Sequence, residues 1–236
     1  MSKRRIKTRK LSLYYGIGVF ILLTSCATPS DMSITPDSLD SIPADGVSTL
    51  RIKAILKNSQ SLSPTITFTT DHGAFAGSTS TGAQTVTVGA MNDSAVAILT
   101  SSTTITTPVI ITISGNGPQV YKQVSFTPSY PELVVFNSST YFIKLDGTVT
   151  ATVTLNLSKQ RGVVSDHFPI DLSIDSVFKL GPNYGVDLPS RVYVDKQVVS
   201  FPLHNVGTDT SYFRIKARYA TSATGFDSTY MHVYVR

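Results

Sequence analysis

The sequence predicts an all-β chain, with two tandem β-sandwich domains behind an export signal. Three observations predict it. Val, Ile and Thr dominate, and apolar side chains recur at every second residue, the signature of half-buried strands. The alternating runs then repeat at an offset of about 101 to 104 residues, the scale of tandem domains and not of a solenoid. The 236-residue chain also opens with a basic head and a short apolar run.

Lys3, Arg4, Arg5, Lys7, Arg9 and Lys10 form the head, and Leu11 to Leu22 carry no charge. The apolar run is about 12–13 residues, short of the ~20 needed to span a bilayer core. Residues 1–25 therefore form a cleaved signal peptide. Leu23-Thr24-Ser25-Cys26 resembles the lipobox of bacterial lipoproteins. The resemblance implies peptidase recognition of Leu23, Thr24 and Ser25, a cut before Cys26, and a diacylglyceryl thioether on the Cys26 thiol. Acylation of the new amino group, commonly by palmitate, would follow in many bacteria. Two or three acyl chains, at ~0.8 kcal/mol per buried methylene, anchor stably where one is marginal. Ala27 rather than Asp favours outer-membrane delivery under the enterobacterial sorting rule. Residues 26–35 are the lipidated Cys and a small, polar tether.

The formal charge of +5 and pI near 9.3 suggest a polyanionic partner. The charge sits in the wrong place for that. The head holds six of the 20 Lys and Arg and no acid, which leaves 14 basic and 15 acidic residues after it. Only Arg214-Ile215-Lys216-Ala217-Arg218 clusters, and alternation puts its three cations on one outer strand face. The composition speaks against nucleic acid. One Cys excludes an intramolecular disulfide framework and a Cys-cluster metal site.

Strands follow in order. Leu50, Ile52, Ala54 and Leu56 share a face, then Ile66 and Phe68, then Ala95, Ala97 and Leu99. Val109, Ile111 and Ile113 come next, with Val124 and Phe126 last. Turn signals separate them at Ala44-Asp45-Gly46, Asp71-His72-Gly73, Gly82, Gly89 and Gly115-Asn116-Gly117-Pro118. Asp45-Gly46 matches Asp146-Gly147, and Ile66, Phe68 and Asp71 match Ile170, Leu172 and Asp175. Ala97, Leu99, Ile111 and Ile113 match Phe201, Leu203, Ile215 and Ala217. The expected organisation is a first domain at 36–127, a Pro-containing hinge at 128–131 and a second domain at 132–236.

Residues 33–127 resemble a bacterial immunoglobulin (Ig)-like domain of the invasin/intimin type. The matching segments are Pro43 to Ser48, Arg51 to Ala54, Ile66 to Phe75, Ala97 to Ser101, Pro108 to Ile113 and Val124 to Phe126. The second domain follows more loosely and departs after Asp175, where Phe178 to Pro189 reads as an enlarged loop. The resemblance implies an extracytoplasmic Ig-like β-sandwich without the antibody-type disulfide, in a family of stalks, spacers and binding modules. Fold alone does not choose among these.

Chemistry-bearing patterns are sparse, so no catalytic site, cofactor or metal is expected. His72, His167, His204 and His232 have no ligand spacing. Asp45 and Asp146 stand alone, whereas calcium takes six to eight oxygens. No nucleophile elbow or phosphate loop occurs, and the chain has a single Glu, Glu132. Asn183 and Tyr184 put an aromatic ring beside an amide, a pair that can grip sugars or peptides, although a long hairpin with Tyr184 packed on the domain flank is the favoured reading. Asp-Ser turns recur at Ser38, Ser41, Ser94, Ser176 and Ser228. They resemble the O-glycosylation motif of exported Bacteroidota proteins, and Asp-Ser is also an ordinary turn pair. With no catalytic domain to present, the expected function is a lipid-anchored cell-envelope binding or adhesion module for an unknown protein or glycan. The alternative is a spacer or accessory subunit of an outer-membrane complex.

Cys26→Ala is expected to leave the protein unprocessed or released from membranes, read by fractionation and intact mass. A variant still acylated and membrane-bound would refute the lipid anchor.

Overall fold

The computed structural model describes residues 32–36, 41–57, 64–77, 84–115, 118–180 and 183–236. All regular structure in them is β. The first nine strands are β1 (Met32–Pro36), β2 (Ser41–Pro43), β3 (Thr49–Leu56), β4 (Thr65–Thr70), β5 (Ala74–Phe75), β6 (Thr85–Gly89), β7 (Ser94–Thr100), β8 (Thr106–Ser114) and β9 (Val120–Thr127). They form a four-stranded sheet, β1-β3-β7-β5, and a five-stranded sheet, β2-β9-β8-β4-β6. The next nine are β10 (Leu133–Ser138), β11 (Phe142–Ile143), β12 (Ala151–Ser158), β13 (Pro169–Leu180), β14 (Val186–Asp187), β15 (Arg191–Tyr193), β16 (Val198–Asn205), β17 (Ser211–Ala220) and β18 (Phe226–Val235). Their sheets are β10-β12-β16-β14 and β11-β18-β17-β13-β15.

The two sets are equivalent strand for strand, which gives the sequence offset its structural cause. In both, a short strand pairs in parallel with the last long one, β2 with β9 and β11 with β18. In both, the chain crosses to the four-stranded sheet after the third long strand and returns, through β5 and β6 or through β14 and β15.

Alternation builds the cores. Leu50, Ile52, Ala54 and Leu56 on β3 point inward against Ile66, Phe68, Ile111, Ile113 and Phe126. In the second sandwich Val153, Leu155 and Leu157 on β12 meet Ile170, Phe213, Ile215 and Val233. At ~25 cal/mol per Å² of apolar surface, each such side chain contributes roughly 1.5–3 kcal/mol.

The segment Phe178 to Pro189 is not simply a loop. β13 continues to Leu180, and Val186–Asp187 forms β14 against Asn205 and His204 of β16. Two bulges break the strand's alternation and hide its continuation, one between Ile174 and Ser176, the other between Val177 and Lys179. β4, its counterpart, pairs with β8 without a register shift.

Buried hydrogen bonds tie the two sandwiches together. Ser129 is 1% exposed, its N–H donates to Ser165 Oγ at 2.8 Å, and its hydroxyl donates to the Val163 carbonyl at 2.8 Å. Ser165 Oγ donates to the Ala44 carbonyl at 3.0 Å, and Val163 N–H to the Asp45 carbonyl at 3.0 Å. Asp166 N–H donates to the Thr103 carbonyl at 2.9 Å, while the Thr103 hydroxyl donates to the Asp166 carboxylate. Gly162 has φ +71°, and a Cβ there would stand 2.8 Å from Asp45, so the close approach requires glycine.

Asp45 anchors this end. Its carboxylate accepts from the Val47 and Ser48 N–H groups at 3.0 and 2.7 Å, and from the Ser48 and Ser101 hydroxyls at 2.8 and 3.3 Å. Burial pushes its pKa up; the four hydrogen bonds outweigh burial and hold it below the ordinary value. A depressed carboxyl pKa stabilises the fold above the unfolded value of about 3.9, and that contribution fades as pH falls through the folded value. Asp45→Asn is expected to cost about 1–3 kcal/mol near neutral pH. In urea unfolding the gap to the parent should shrink at about pH 3. An equal gap at both pH values would remove the carboxylate from this role.

Candidate functional site

The outward face of the second five-stranded sheet departs most from its counterpart. On β18 the inward residues are Met231, Val233 and Val235, and the outward register holds Phe226, Ser228, Tyr230, His232 and Tyr234. Across from them β17 sends out Tyr212, Arg214, Lys216 and Arg218, with Tyr234 opposite Tyr212 and Tyr230 opposite Lys216.

Four rings form a ladder across the sheet. Phe142 stacks on Tyr234 at 5.2 Å, Tyr234 on Tyr212 at 4.2 Å and 13°, and Phe178 lies 4.8 Å from Tyr212. His232 sits beside Tyr212 at 5.6 Å, and Arg236 lies over Phe142 at 4.4 Å. The Tyr234 side chain, by hydrogen bonding, raises the Tyr212 phenol pKa. The first bulge shifts the phase of β13, so Val177 turns inward and Phe178, 54% exposed, turns outward into the ladder. Asp175 is the residue added at that bulge, and its carboxylate pairs with Arg214 and lies 3.9 Å from Lys216 Nζ. Re-aiming side chains is what bulges do beside functional sites. Arg214 also stacks on Tyr230 at 4.5 Å, and Arg218 on Phe226 at 3.9 Å.

On the matching sheet of the first sandwich β4 and β6 face outward with threonines, and Tyr121 of β9 faces Thr112 where Tyr230 faces Lys216. Thr67 and Thr87 bond across strands at 3.0 Å, and Thr69 and Thr85 at 3.3 Å.

The sequence-derived candidates lie elsewhere. Leu23, Thr24, Ser25, Cys26 and Ser38 fall outside the described residues, as do Gly82 and Asn116-Gly117. Asn183 and Tyr184 sit at the end of the second sandwich away from the junction, where Asn183 N–H donates to Asp209 at 2.8 Å. The Asn183 carbonyl accepts from Thr208 N–H at 2.8 Å, and Tyr184 is 39% exposed. An open groove of about 790 Å³ lies at this end, lined by Phe142, Leu145, Asp146, Gly207, Thr208 and Arg236 among others. Ser41 is exposed, Ser228 is half-buried, and Ser94 Oγ donates to the Met91 carbonyl at 3.2 Å. Ser176 Oγ is buried without a hydrogen-bond partner, out of reach of a modifying enzyme in the folded protein. His72 lies 3.3 Å from Asp71 and His204 3.8 Å from Asp187. No group of three metal-ligating side chains occurs among the described residues.

Of the face residues, the sequence marks Arg214, Lys216 and Arg218 as a cluster, and marks Ser228, His232 and Phe178 only as a turn serine, a histidine and the start of a loop. The alternation of aromatic and apolar residues from Phe226 to Val235 carried a signal for the rest of β18. Removing the central plate should be costly for an exposed residue. Tyr212→Ala loses contacts with three rings and is expected to cost about 1–3 kcal/mol, at about 0.5–1.5 per aromatic pair. Tyr121→Ala, on the matching sheet of the first sandwich and 62% exposed, is expected to stay within about 0.5 kcal/mol. Equal urea-unfolding losses for the two would deny the ladder an energetic role.

A scan against protein-family models and a search of curated proteins each found no match. Solved structures do match. The adhesin InvE of Yersinia pseudotuberculosis aligns with a TM-score of 0.57 at 13% identity, over 86% of this chain and 58% of that one. Invasin, a bacterial integrin-binding protein, aligns with a TM-score of 0.55 at 15% identity, over 87% of this chain and 39% of that one. The chain thus spans less than two thirds of either protein. The fold implied by the sequence resemblance is the one found: tandem bacterial Ig-like sandwiches of the invasin type.

Proposed function

We propose that this chain is a lipid-anchored cell-envelope protein whose second Ig-like domain binds a partner through the outward face of β13, β17 and β18. The observation that carries the reading is that face. A dozen or so residues of a small domain hold stacked aromatics and cations in the open, a composition enriched at interfaces. The bulges of β13 lie beyond Ile174, the counterpart of the last residue of β4, and the first of them turns Phe178 onto that face. The similarity to InvE and invasin supports a binding or adhesion role, and the lipobox-like Leu23 to Cys26 supports the anchor. No catalytic role is proposed.

The hydrogen-bonded junction favours a second reading, a spacer or accessory subunit that holds its partner at a set distance. Protease applied to intact cells separates the two. Digestion fits an adhesin, and protection fits an accessory subunit on the periplasmic side.

The binding face has its own test. A photoreactive side chain at position 230 is expected to crosslink a partner in intact cells. One at position 87, on the threonine face, is not. Failure at 230 would end the binding-face proposal.

A further inference from the structure

We propose that the partner of this face is an acidic polysaccharide, a glycan polymer bearing carboxylate or sulfate groups. The inference rests on the binding-module reading and gives its partner a chemistry.

Charge is the first argument. β17 presents Arg214, Lys216 and Arg218 at every second residue, about 6.6–6.8 Å apart along the strand. Asp175 answers Arg214 and Lys216 together. Among the described residues Arg218 has a ring contact and no ion pair. Asp171, opposite Arg218 in register, is held by Arg191 at 2.7 Å, so four cations meet two carboxylates here, on a chain whose formal charge after the signal region is −1. The positive field is local to this face.

Ring orientation is the second. An aromatic ring is negative on its faces and positive at its rim. Here the faces are occupied: Tyr212 and Tyr234 by each other, Phe142 by Tyr234 and Arg236, Tyr230 by Arg214, Phe226 by Arg218. Tyr212 lies between Tyr234 and Phe178, and Tyr234 between Tyr212 and Phe142, so these two rings offer a partner their rims and phenol groups. Rims, guanidinium groups and hydroxyl donors together complement oxygen-rich anions.

Shape narrows the partner. Nucleic-acid bases stack on open ring faces, and the central rings of the ladder, Tyr212 and Tyr234, each lie between two others. A neutral sugar would need the same faces. A peptide partner typically anchors a side chain in a pocket, whereas the groove lies at the sandwich end and meets this face only at Phe142 and Arg236, away from the row of cations on β17. A polymer with recurring anions can lay several charges on a flat row of cations, and its weak contacts reinforce one another.

The purified full chain would be passed over immobilised alginate, heparin and neutral dextran. Binding to alginate or heparin and not to dextran is expected, and it should weaken as salt rises. The combined Arg214→Ser, Lys216→Ser and Arg218→Ser variant is expected to lose about tenfold or more. Arg218→Glu breaks no ion pair, but it loses the stack on Phe226 and faces Asp171 across the strands, so its melting temperature should fall by about a few degrees while binding drops at least about threefold. Arg51→Ser, on exposed β3 of the first sandwich, should bind as the parent does. Binding to neither acidic glycan, or full binding by Arg218→Glu, would overturn the proposal. Tighter binding to polyglutamate than to either glycan would assign the face to acidic peptides instead. Crosslinking at position 230 without glycan binding would overturn this inference alone; loss of both would overturn the binding-module reading as well.

Discussion

Packing of inward side chains has to close these sandwiches, because the chain holds one Cys and no disulfide can brace the sheets. That constraint explains the strictness of the alternation. Every long strand of the first domain gives its inner positions to apolar residues, and Ile52, Ile66, Phe68, Leu99, Ile111 and Phe126 are sealed from solvent. The same positions recur in the second domain as Val153, Ile170, Leu203 and Ile215. Interior packing tolerates little change in volume. Inner positions of both copies stay apolar while their sizes trade, as Ala97 for Phe201 and Ile113 for Ala217, and changes of chemical type fall on outward residues, bulges and strand ends.

For that reason the cores and the tandem repeat were legible in the sequence. Period-2 alternation is a direct image of burial, and an offset of about 104 residues survives wherever both copies keep the same inner positions. The face was less legible. Counted straight through from Ile170, the alternation of β13 puts Ser176 inside and Val177 outside. The bulges reverse this: Val177 packs on the core and Phe178 faces solvent. A bulge is a relation between two strands, and it leaves no mark in the spacing of one. Phe178 was thus assigned to a loop, and Phe142 had no visible partner. The ladder draws on β11, β13, β17 and β18, so no single stretch of sequence contained it.

Threonines on one outer face and rings with cations on the other differ in what they can do. A Thr ladder satisfies itself through cross-strand hydroxyl contacts and a branched side chain suited to strands. It fits a domain whose outer face has only to stay soluble. Stacked rings also stabilise their sheet, yet they leave apolar area and unshared charge in water. The first domain forms the same sheet with Ile110, Thr112 and Tyr121 where the second has Arg214, Lys216 and Tyr230, so the fold itself does not require the ladder. The surplus exposure is the reason to assign contact to the second domain and support to the first.

The two ends of the sandwiches reinforce that division. In the first, the carbonyls of Ala44 and Thr103 accept hydrogen bonds from Ser165 and Asp166 of the second. Their counterparts at the same offsets are the carbonyls of Leu145 and Gly207. Both accept from one side chain, Asn205 Nδ2, at 2.8 and 2.6 Å. Asn205 occupies the place of Ser101, whose shorter hydroxyl reaches Asp45 at 3.3 Å. One substitution of Ser by Asn thus satisfies within the domain the acceptors that its twin leaves for a neighbour. Buried carbonyls need partners, so the first sandwich relies on the second to complete its junction end, while the second completes its own. The interdomain contact is then part of the first domain's hydrogen bonding and not an optional docking. It holds the second domain in one orientation on the first, as a face that must meet an extended partner requires.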